Sequence, residues 1–449
     1  MRQIETTYVN NSSNTQVKIL APIPDDGGQE TEILNVYPNE TFQTFLGFGG
    51  AFTESAGCVL SRMPAAVQGE MLDAYFGPGG LGYTLGRAPI DGCDFSLGGY
   101  SAVTDPADEK LDSFTLRRDE QYILPLCRAA QMREPGLRWM LSPWSPPAFM
   151  KSNGERDRGG KLLPEYRARW AEYLCRYVEE YRARGLAVFA LSVQNEPNAV
   201  QPWDSCVYTA EEERDFVRDF LAPALARRGL TNLSLTVWDH NKERLFDRVD
   251  TVCADPAVNA AVGAAGFHWY SGDHFEAVSL TARKYPDKTL IFTEGCIEYS
   301  KFSPESILTN AQRYAHELIG GFNAGMHAFL DWNLFLDTRG GPNHKANYCD
   351  APIMADPEAG TFRKNLSYDY LGHFTRYIAP GAVRVGTTRY TDRVELTAFR
   401  NGDGVLAAVV LNPGREAVNC FLRVSGALYP LTLAPESVST LLLAGGEWR

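Results

Sequence analysis

Segments that would direct the chain to a membrane or a secretory route are missing from this sequence of 449 residues. The N-terminal residues lack a basic stretch followed by an apolar core, which is the pattern of a secretory signal. No window is as long and as apolar as a membrane-spanning helix. We therefore expect a cytoplasmic protein without a membrane span.

Spacings that mark metal and cofactor sites are also missing. The nine cysteines include no C-x-x-C pair and cannot all form disulfides because their number is odd, so reduced and mostly buried thiols are expected. The seven histidines include no H-E-x-x-H motif. Residues 77–82 fit G-x-G-x-x-G, but they follow a predicted helix and precede a predicted strand, which reverses the order in a dinucleotide site. The sequence predicts neither a metal ion nor a cofactor.

Positive charge is scarce, with 43 Lys and Arg against 55 Asp and Glu and a net charge of −12. This balance argues against nucleic acids and anionic membranes as partners and leaves small molecules, with the oligomeric state open. A hydrophobic content of 44% and a charged content of 22% are typical of a globular protein.

Between residues 45 and 380, short β-prone runs alternate with segments of helical periodicity. Eight strand–helix units in succession predict an α/β fold, the (β/α)8 TIM barrel. The predicted strands are 45–52, 83–89, 137–142, 188–193, 233–238, 264–269, 289–293 and 326–332. The predicted helices are 64–75, 118–133, 164–184, 210–228, 242–254, 275–284, 306–320 and 368–377.

Both ends of the chain, residues 1–44 and 381–449, are rich in short β-strand patterns separated by turn residues. An isolated hairpin is only marginally stable, so these strands need a partner sheet. We predict that the two ends form one β-sandwich side domain against a catalytic barrel of residues 45–380. The predicted C-terminal strands are 383–385, 395–399, 405–411, 418–424 and 437–443.

Two predicted barrel strands end in a glutamate. The run 188–193 is followed by Gln194, Asn195, Glu196 and Pro197, and the run 289–293 is followed by Glu294. The carboxyl ends of barrel strands meet at one face, where barrel enzymes carry their chemistry. Two facing carboxylates, one protonated and one ionised, are the equipment for cleaving a glycosidic bond. Two unrelated surface acids remain the alternative on spacing alone.

Other predicted strand ends bring further polar and aromatic residues to the same rim, and together they are hard to explain as packing. These residues are Arg87, Asp91, Asp94, Trp144, Asp239, His240, His268, Trp269, Tyr270, Asp331, Trp332 and Asn333.

Eight short motifs, taken in order, resemble glycoside hydrolase family 30, and most closely its glucosylceramidase (acid β-glucosidase) branch. The resemblance runs from about residue 45 to the end of the predicted barrel, and the flanking β-sandwich fits the architecture of that family. The motifs are F-G-G-A-F-T-E at 48–54, C-D-F-S at 93–96, S-P-W-S-P-P at 142–147, K-S-N-G at 151–154, N-E-P at 195–197, H-W-Y at 268–270, F-T-E-G-C at 292–296 and D-W-N at 331–333.

The resemblance implies a retaining mechanism with a covalent glycosyl-enzyme intermediate, in which Glu196 is the acid/base and Glu294 the nucleophile. It also implies that Asn195 binds the sugar 2-hydroxyl and that Tyr270 donates a hydrogen bond to the nucleophile. The other residues expected in the sugar pocket on this ground are Asp94, Trp144, His268, Trp332 and Asn347.

The resemblance implies cleavage of a terminal β-glucose, as in β-glucosidases and glucosylceramidases, and the missing secretory signal favours small imported β-glucosides over polymers and membrane glycolipids. Asp239-His240 and the loop 199–205 differ from the corresponding segments of the ceramide-cleaving enzymes. These differences leave the substrate undetermined but do not affect the implied reaction type. The alternatives are a β-xylosidase or β-1,6-glucanase of the same family, and a catalytically silent sugar-binding protein.

Overall fold

The computed structural model describes residues 1–445, which form a closed barrel of eight strands and a ten-stranded sheet built from both ends of the chain. The predicted fold class, a (β/α)8 TIM barrel with a β-sandwich side domain, is confirmed. Residues 446–449, the last four of the predicted C-terminal segment, lie outside the described residues.

Every predicted barrel strand overlaps an observed strand. The N-terminal strands are β1 (Arg2–Val9), β2 (Ser12–Ile19), β3 (Ile23–Pro24) and β4 (Ile33–Thr44). The barrel strands are β5 (Gly47–Ala51), β6 (Leu85–Ile90), β7 (Arg138–Pro143), β8 (Ala187–Ser192), β9 (Ser234–Asn241), β10 (Val262–His268), β11 (Thr289–Glu294) and β12 (Ala328–Asp331).

The helices surround the barrel, and two of them, α1 and α8, were not predicted because each spans only about two turns. The helix predicted at 210–228 consists of α5, a π-helical segment at Val217–Leu221, and α6. The helices are α1 (Glu54–Ser61), α2 (Ala65–Phe76), α3 (Ile123–Gln131), α4 (Arg167–Ala183), α5 (Ala210–Phe216), α6 (Ala222–Arg227), α7 (Leu245–Val252), α8 (Pro256–Ala261), α9 (Phe275–Lys284), α10 (Ile307–Ala324) and α11 (Leu366–Thr375). Within residues 1–445, no helix is long and apolar enough to cross a bilayer.

The loop after β12 contains a small sheet that the sequence analysis did not predict, formed by β13 (Phe335–Asp337), β14 (Ile353–Asp356) and β15 (Thr361–Lys364). The C-terminal strands then complete the outer sheet, and β20 among them was not predicted. They are β16 (Val383–Arg389), β17 (Glu395–Arg400), β18 (Leu406–Asn412), β19 (Val418–Val424), β20 (Ala427–Leu433) and β21 (Ser437–Leu443).

The two ends of the chain pair directly, as predicted. Strand β1 lies antiparallel to β21, and β4 lies between β16 and β19. The β-sandwich packs on α10 and α11 of the barrel. Phe322 of α10 contacts Phe45 and Phe399 edge-on, and His373 of α11 lies within hydrogen-bond distance of Thr440 and Thr6.

The barrel interior changes character along its axis. Apolar side chains fill its lower part, so the polar inward-facing residues collect at the carboxyl ends of the strands, where the site lies. The apolar layer consists of Leu85, Met140, Ala190, Ala264, Ile291, Ala328 and Leu330.

Candidate active site

Arg87, the third residue of β6, is fully buried, and its guanidinium lies among residues near the carboxyl ends of the other barrel strands. Its Nη1 donates to Oε2 of Glu294 at 2.7 Å, and its Nη2 donates to Oδ1 of Asn195 at 2.7 Å and to Oδ2 of Asp239 at 3.0 Å. Its Nε donates to Oγ of Ser142 at 3.1 Å. One guanidinium therefore joins side chains from β7, β9, β11 and the loop after β8.

Two β-bulges occur in the strands that carry the acidic residues. Where β9 pairs with β10, Asp239 is the extra residue between Trp238 and His240, and both Trp238 and Asp239 have positive φ. Where β11 pairs with β10, Thr293 is the extra residue before Glu294. An extra residue reverses the alternation of side chains between the two faces of a strand. The bulges thereby turn Asp239 and Glu294 toward the barrel axis.

Glu294 is buried and hydrogen-bonded at both carboxylate oxygens. Besides Arg87 at Oε2, the hydroxyl of Tyr270 donates to Oε1 at 2.9 Å. Burial raises the pKa of Glu294 above its ordinary value, opposed by His268 and Arg87 and reinforced by the charge of Glu196. Donors at both oxygens stabilise the ionised carboxylate in spite of its burial.

Glu196 follows β8 with a backbone φ of +48°, which is unusual for a residue other than glycine and typical of functional sites. Its N–H donates to the carbonyl of Asp239 at 3.0 Å. Its Oε1 lies 3.4 Å from Nδ1 of His240 and 3.3 Å from Nδ1 of His268. Burial raises the pKa of Glu196, but the two imidazoles outweigh burial and hold that pKa below its ordinary value.

His268 connects Glu196 to Asp239. Asp239 is fully buried and accepts hydrogen bonds from Arg87 and, at 2.6 Å, from Ser192. Burial raises the pKa of Asp239, but Arg87 and His268 outweigh burial and hold that pKa below its ordinary value. Nε2 of His268, 3.3 Å from this carboxylate, is therefore the donor, which directs Nδ1 at Glu196. Burial lowers the pKa of His268, but Glu294, Asp239 and Glu196 raise it to about 9. These two shifts place the proton of the pair on His268, whose Nδ1 faces an ionised Glu196.

The opposite side of the pocket carries a second buried carboxylate and a pair of indoles. Oδ2 of Asp94 accepts from Nδ2 of Asn347 at 2.9 Å, whereas its Oδ1 is buried without a partner among the described residues. The rings of Trp144 and Trp332 stack with their centroids 5.3 Å apart, and Arg87 lies 4.8 Å from the Trp144 ring. The indoles form a single apolar wall.

The outer rim of the pocket is polar. Lys301 Nζ lies 2.6 Å from Oε2 of Glu298, and the same ammonium lies 5.2 Å from the centre of the Tyr270 ring. The pocket lining also includes the half-buried Trp203, Gln201 and Asn241, and the buried side chains of Cys296 and Cys349.

All but one of the predicted site residues line this one pocket, and the exception, His268, lies behind it in contact with Glu196. The residues of the lining that the sequence predicted are Asp94, Trp144, Asn195, Glu196, Tyr270, Glu294, Trp332 and Asn347.

Some rim residues expected from the strand ends support the surrounding packing instead. Asp91 accepts from the hydroxyl of Tyr173 at 2.6 Å, and Asp331 accepts from the hydroxyl of Tyr314 at 3.1 Å. Trp269 packs against the same Tyr314 with ring centroids 4.9 Å apart. Neighbours along a strand face opposite sides, so Trp269 points to the helices while His268 points inward. The residues expected at the rim but absent from the pocket lining are Arg87, Asp91, Asp239, His268, Trp269, Asp331 and Asn333.

Several contributing residues were not predicted. Ser142 and Ser192, which donate to Asp239 at 3.2 Å and 2.6 Å, are the last or next-to-last residues of their strands. Inward alternation from the apolar layer would have identified both. Lys301 and Glu298 lie in a loop after β11, for which the sequence offers no comparable signal.

Comparisons with known proteins give consistent results along the whole chain. The model of the glycosyl hydrolase family 30 TIM-barrel domain matches residues 45–378, and that of the family 30 beta sandwich domain matches residues 381–441. The lysosomal acid glucosylceramidase of Mus musculus is 31% identical over 86% of this chain and 78% of its own length. The crystal structure of SrfJ from Salmonella typhimurium is 39% identical with a TM-score of 0.94, covering 99% of both chains. An endo-β1,6-glucanase structure is 25% identical with a TM-score of 0.87, again covering 99% of both chains.

Replacing Arg87 tests whether its charge holds the site together. We expect Arg87→Met to lower the free energy of unfolding by about 3–5 kcal/mol, because Glu294 and Asp239 would stay buried without their cation. The matched control is Arg128→Met, whose 46% exposed side chain pairs with Glu120 and should contribute less than about 1 kcal/mol. Urea unfolding of the three proteins gives the comparison, and equal losses in both variants would contradict the assignment.

Proposed function

This chain belongs to glycosyl hydrolase family 30 and is a glycosidase, and on that premise we propose that it is a retaining β-glucosidase that removes one terminal glucose at a time. The observation that carries the proposal is the unequal environment of two carboxyl groups in one pocket. Glu294 is held by donors at both oxygens, whereas Glu196 faces His268, which holds the proton of that pair. A nucleophile needs a stabilised anion, and an acid/base needs a neighbour with which it exchanges a proton.

In the first step, the ionised Glu294 attacks the anomeric carbon and forms an ester with the sugar. The bond from that carbon to the leaving oxygen breaks as Glu196 passes to that oxygen the proton that His268 holds against it. Glu196 then takes a proton from a water molecule, which attacks the anomeric carbon and releases Glu294. Two inversions at the same carbon give retention of the β-configuration.

The pocket offers hydrogen bonds that suit a sugar. Oδ1 of Asp94, buried without a partner, is an acceptor for a sugar hydroxyl, and a buried acceptor gains strongly from being satisfied. Oδ1 of Asn195 is occupied by Arg87, which leaves the Nδ2 amide to donate to the substrate. The stacked Trp144 and Trp332 provide a flat apolar surface beside these polar groups.

Variants of the two carboxylates test the reaction and the roles together. Glu294→Gln should abolish turnover, since an amide cannot form the ester. Glu196→Ala should slow alkyl glucosides far more than aryl glucosides, because only alkyl leaving groups need protonation. With added azide, proton NMR should show a β-glucosyl azide from the Glu196 variant and an α-glucosyl azide from the Glu294 variant.

Glu317→Gln serves as the control for this pair, because Glu317 is a buried carboxylate that pairs with Lys242 outside the pocket. It should retain turnover without azide. An α-anomer as the first product of the unmodified enzyme would refute retention, and reversed azide products would exchange the two roles.

The pH dependence of kcat/KM tests Glu294 separately. Glu294 must be ionised to attack, and its pKa is raised by burial, so activity should fall as the pH drops through that raised pKa. The groups that face it are Arg87, Tyr270, His268 and Glu196. Tyr270→Phe removes a hydrogen bond to the anion, so the acid limb should move up by about one pH unit.

Tyr208→Phe is the control for the pH measurement, because the Tyr208 hydroxyl is buried without a partner among the described residues and lies outside the pocket lining. Its acid limb should coincide with that of the unmodified enzyme. An unmoved acid limb in Tyr270→Phe would show that Glu294 does not set the limb.

The polar rim favours a sugar or another polar group as the aglycone over a ceramide chain. Lys301, Glu298 and Gln201 offer hydrogen bonds there, and exposed charges are a poor surface for two hydrocarbon tails. This rim supports a second candidate, cleavage of β-1,6-linked glucose, which is consistent with the similar endo-β1,6-glucanase structure. The cytoplasmic location expected from the sequence stays a prediction.

Turnover of four substrates by one preparation tests the specificity: aryl β-glucoside, aryl β-xyloside, gentiobiose and glucosylceramide. We expect the glucoside to exceed the xyloside at least about 100-fold in kcat/KM, because a site that binds the C6 hydroxyl rejects sugars without it. Gentiobiose should exceed glucosylceramide, and Lys301→Met should impair gentiobiose more than the aryl glucoside. Preference for the xyloside would refute a glucosidase, and preference for glucosylceramide would refute a polar aglycone site.

A further inference from the structure

Glu196, His240 and His268 bring three metal-ligating atoms together at the inner end of the pocket. Oε1 of Glu196 lies 3.4 Å from Nδ1 of His240 and 3.3 Å from Nδ1 of His268, and the group's ligating atoms all lie within 4.8 Å of one another. Around a tetrahedral Zn²⁺ ion with bonds of about 2.0–2.1 Å, neighbouring ligand atoms are about 3.3–3.4 Å apart. Two of the three edges already have this length.

The residues behind this cluster are also arranged as they are behind a metal site. Nε2 of His268 faces Oδ1 of Asp239 at 3.3 Å, so the ring lies between a carboxylate and the cluster. Asp239 is fixed in turn by Arg87 and Ser192. A carboxylate on the remote nitrogen fixes the tautomer of a metal-ligating histidine and directs its other nitrogen at the ion.

His240 supports the metal site by its burial as well as by its distance from Glu196. The residue is 9% exposed, and its Nδ1 is buried without a hydrogen-bond partner among the described residues. The ring lines the pocket and lies beside Glu196. Oε1 of Glu196 lies 3.4 Å from this nitrogen without an aligned hydrogen bond, and a cation between the two atoms would satisfy both.

The charge of the pocket favours a cation. Glu196, Glu294 and Asp94 line it, and Arg87 behind them already pairs with Glu294 and Asp239. Two imidazoles and one carboxylate suit a transition-metal ion such as Zn²⁺ and do not suit Mg²⁺, which prefers oxygen ligands. The pocket also gives such an ion a path from solvent.

We propose that Glu196, His240 and His268 form a tridentate site for one transition-metal cation of the Zn²⁺ class, and that an ion bound there blocks catalysis by occupying Glu196. Binding depends only on the geometry of the three ligands. The block on catalysis rests on the proposed role of Glu196 as acid/base.

Titration of the full chain with Co²⁺, followed by its visible absorption, tests the site directly. We expect one Co²⁺ per chain with a spectrum of nitrogen and oxygen ligands, displaced by Zn²⁺ and not by Mg²⁺. His240→Asn and Glu196→Gln should each weaken Co²⁺ binding by at least about 10–100-fold. Loss of a residue that only supports a metal ligand already costs that much, and these two residues are ligands themselves. His316→Gln, which removes a histidine paired with Glu395 and Asp273 elsewhere, should bind as the unmodified chain does.

Two results would overturn the site. One is unchanged Co²⁺ affinity in both His240→Asn and Glu196→Gln while their thermal unfolding shows that they are folded. The other is the intense near-ultraviolet band of a Co²⁺–thiolate bond, lost in Cys296→Ser, which would assign binding to the thiols of Cys296 and Cys349 in the same pocket.

Inhibition separates this proposal from the proposed function. Zn²⁺ should inhibit aryl β-glucoside cleavage in competition with substrate, and the inhibition constant should rise at least about 10-fold in His240→Asn, in parallel with the Co²⁺ result. A chain that binds Co²⁺ through His240 but cleaves no β-glycoside would refute the glucosidase and leave the metal site standing. Zn²⁺ inhibition that is equally strong in His240→Asn would refute the metal site and leave the glucosidase standing.

Discussion

The arrangement of the site depends on one buried positive charge. Arg87 has no exposed surface, and its three nitrogens bind Glu294, Asp239, Asn195 and Ser142. Burying an isolated charge costs much free energy, so Arg87 and its partners each lower the cost of burying the others. Arg87 also acts through Asp239, because Asp239 orients His268 and His268 contacts Glu196. The positions of both candidate catalytic carboxylates therefore follow from the location of a single guanidinium.

This dependence explains why the barrel tolerates strain at its carboxyl ends. Trp238, Asp239 and Glu196 all adopt positive φ, which costs about 1–3 kcal/mol for each residue. The strain is supported by hydrogen bonds such as that from the N–H of Glu196 to the carbonyl of Asp239. Below this layer the barrel is apolar and regular, and on its outer side α10 and α11 rest against the β-sandwich. The rigid lower part fixes the strands whose ends are strained.

The sequence was sufficient for the order of the elements and for most of the pocket, because both follow from local patterns. Buried strands appear as apolar runs, and residues after them reach one face whatever their separation along the chain. It was harder to predict whether an individual side chain points into the barrel or toward the helices. Asp239 and Glu294 turn inward through an extra residue in each strand, and a bulge leaves no mark in a six-residue apolar pattern. Asp331 and Trp269, which were expected at the rim, instead follow regular alternation and face Tyr314.

The cluster of Glu196, His240 and His268 could not be predicted from the spacing of residues along the chain. Glu196, His240 and His268 come from the ends of β8, β9 and β10, so no short motif links them, and the absence of H-E-x-x-H does not bear on them. Their proximity is what the proposed acid/base role of Glu196 requires. An acid/base that works in a buried pocket needs a neighbouring group that holds its proton, and imidazole is the side chain suited to that task at neutral pH. Two imidazole nitrogens facing one carboxylate oxygen are equally a set of metal ligands. The geometry that the proposed acid/base needs is thus also the geometry that the proposed metal site needs.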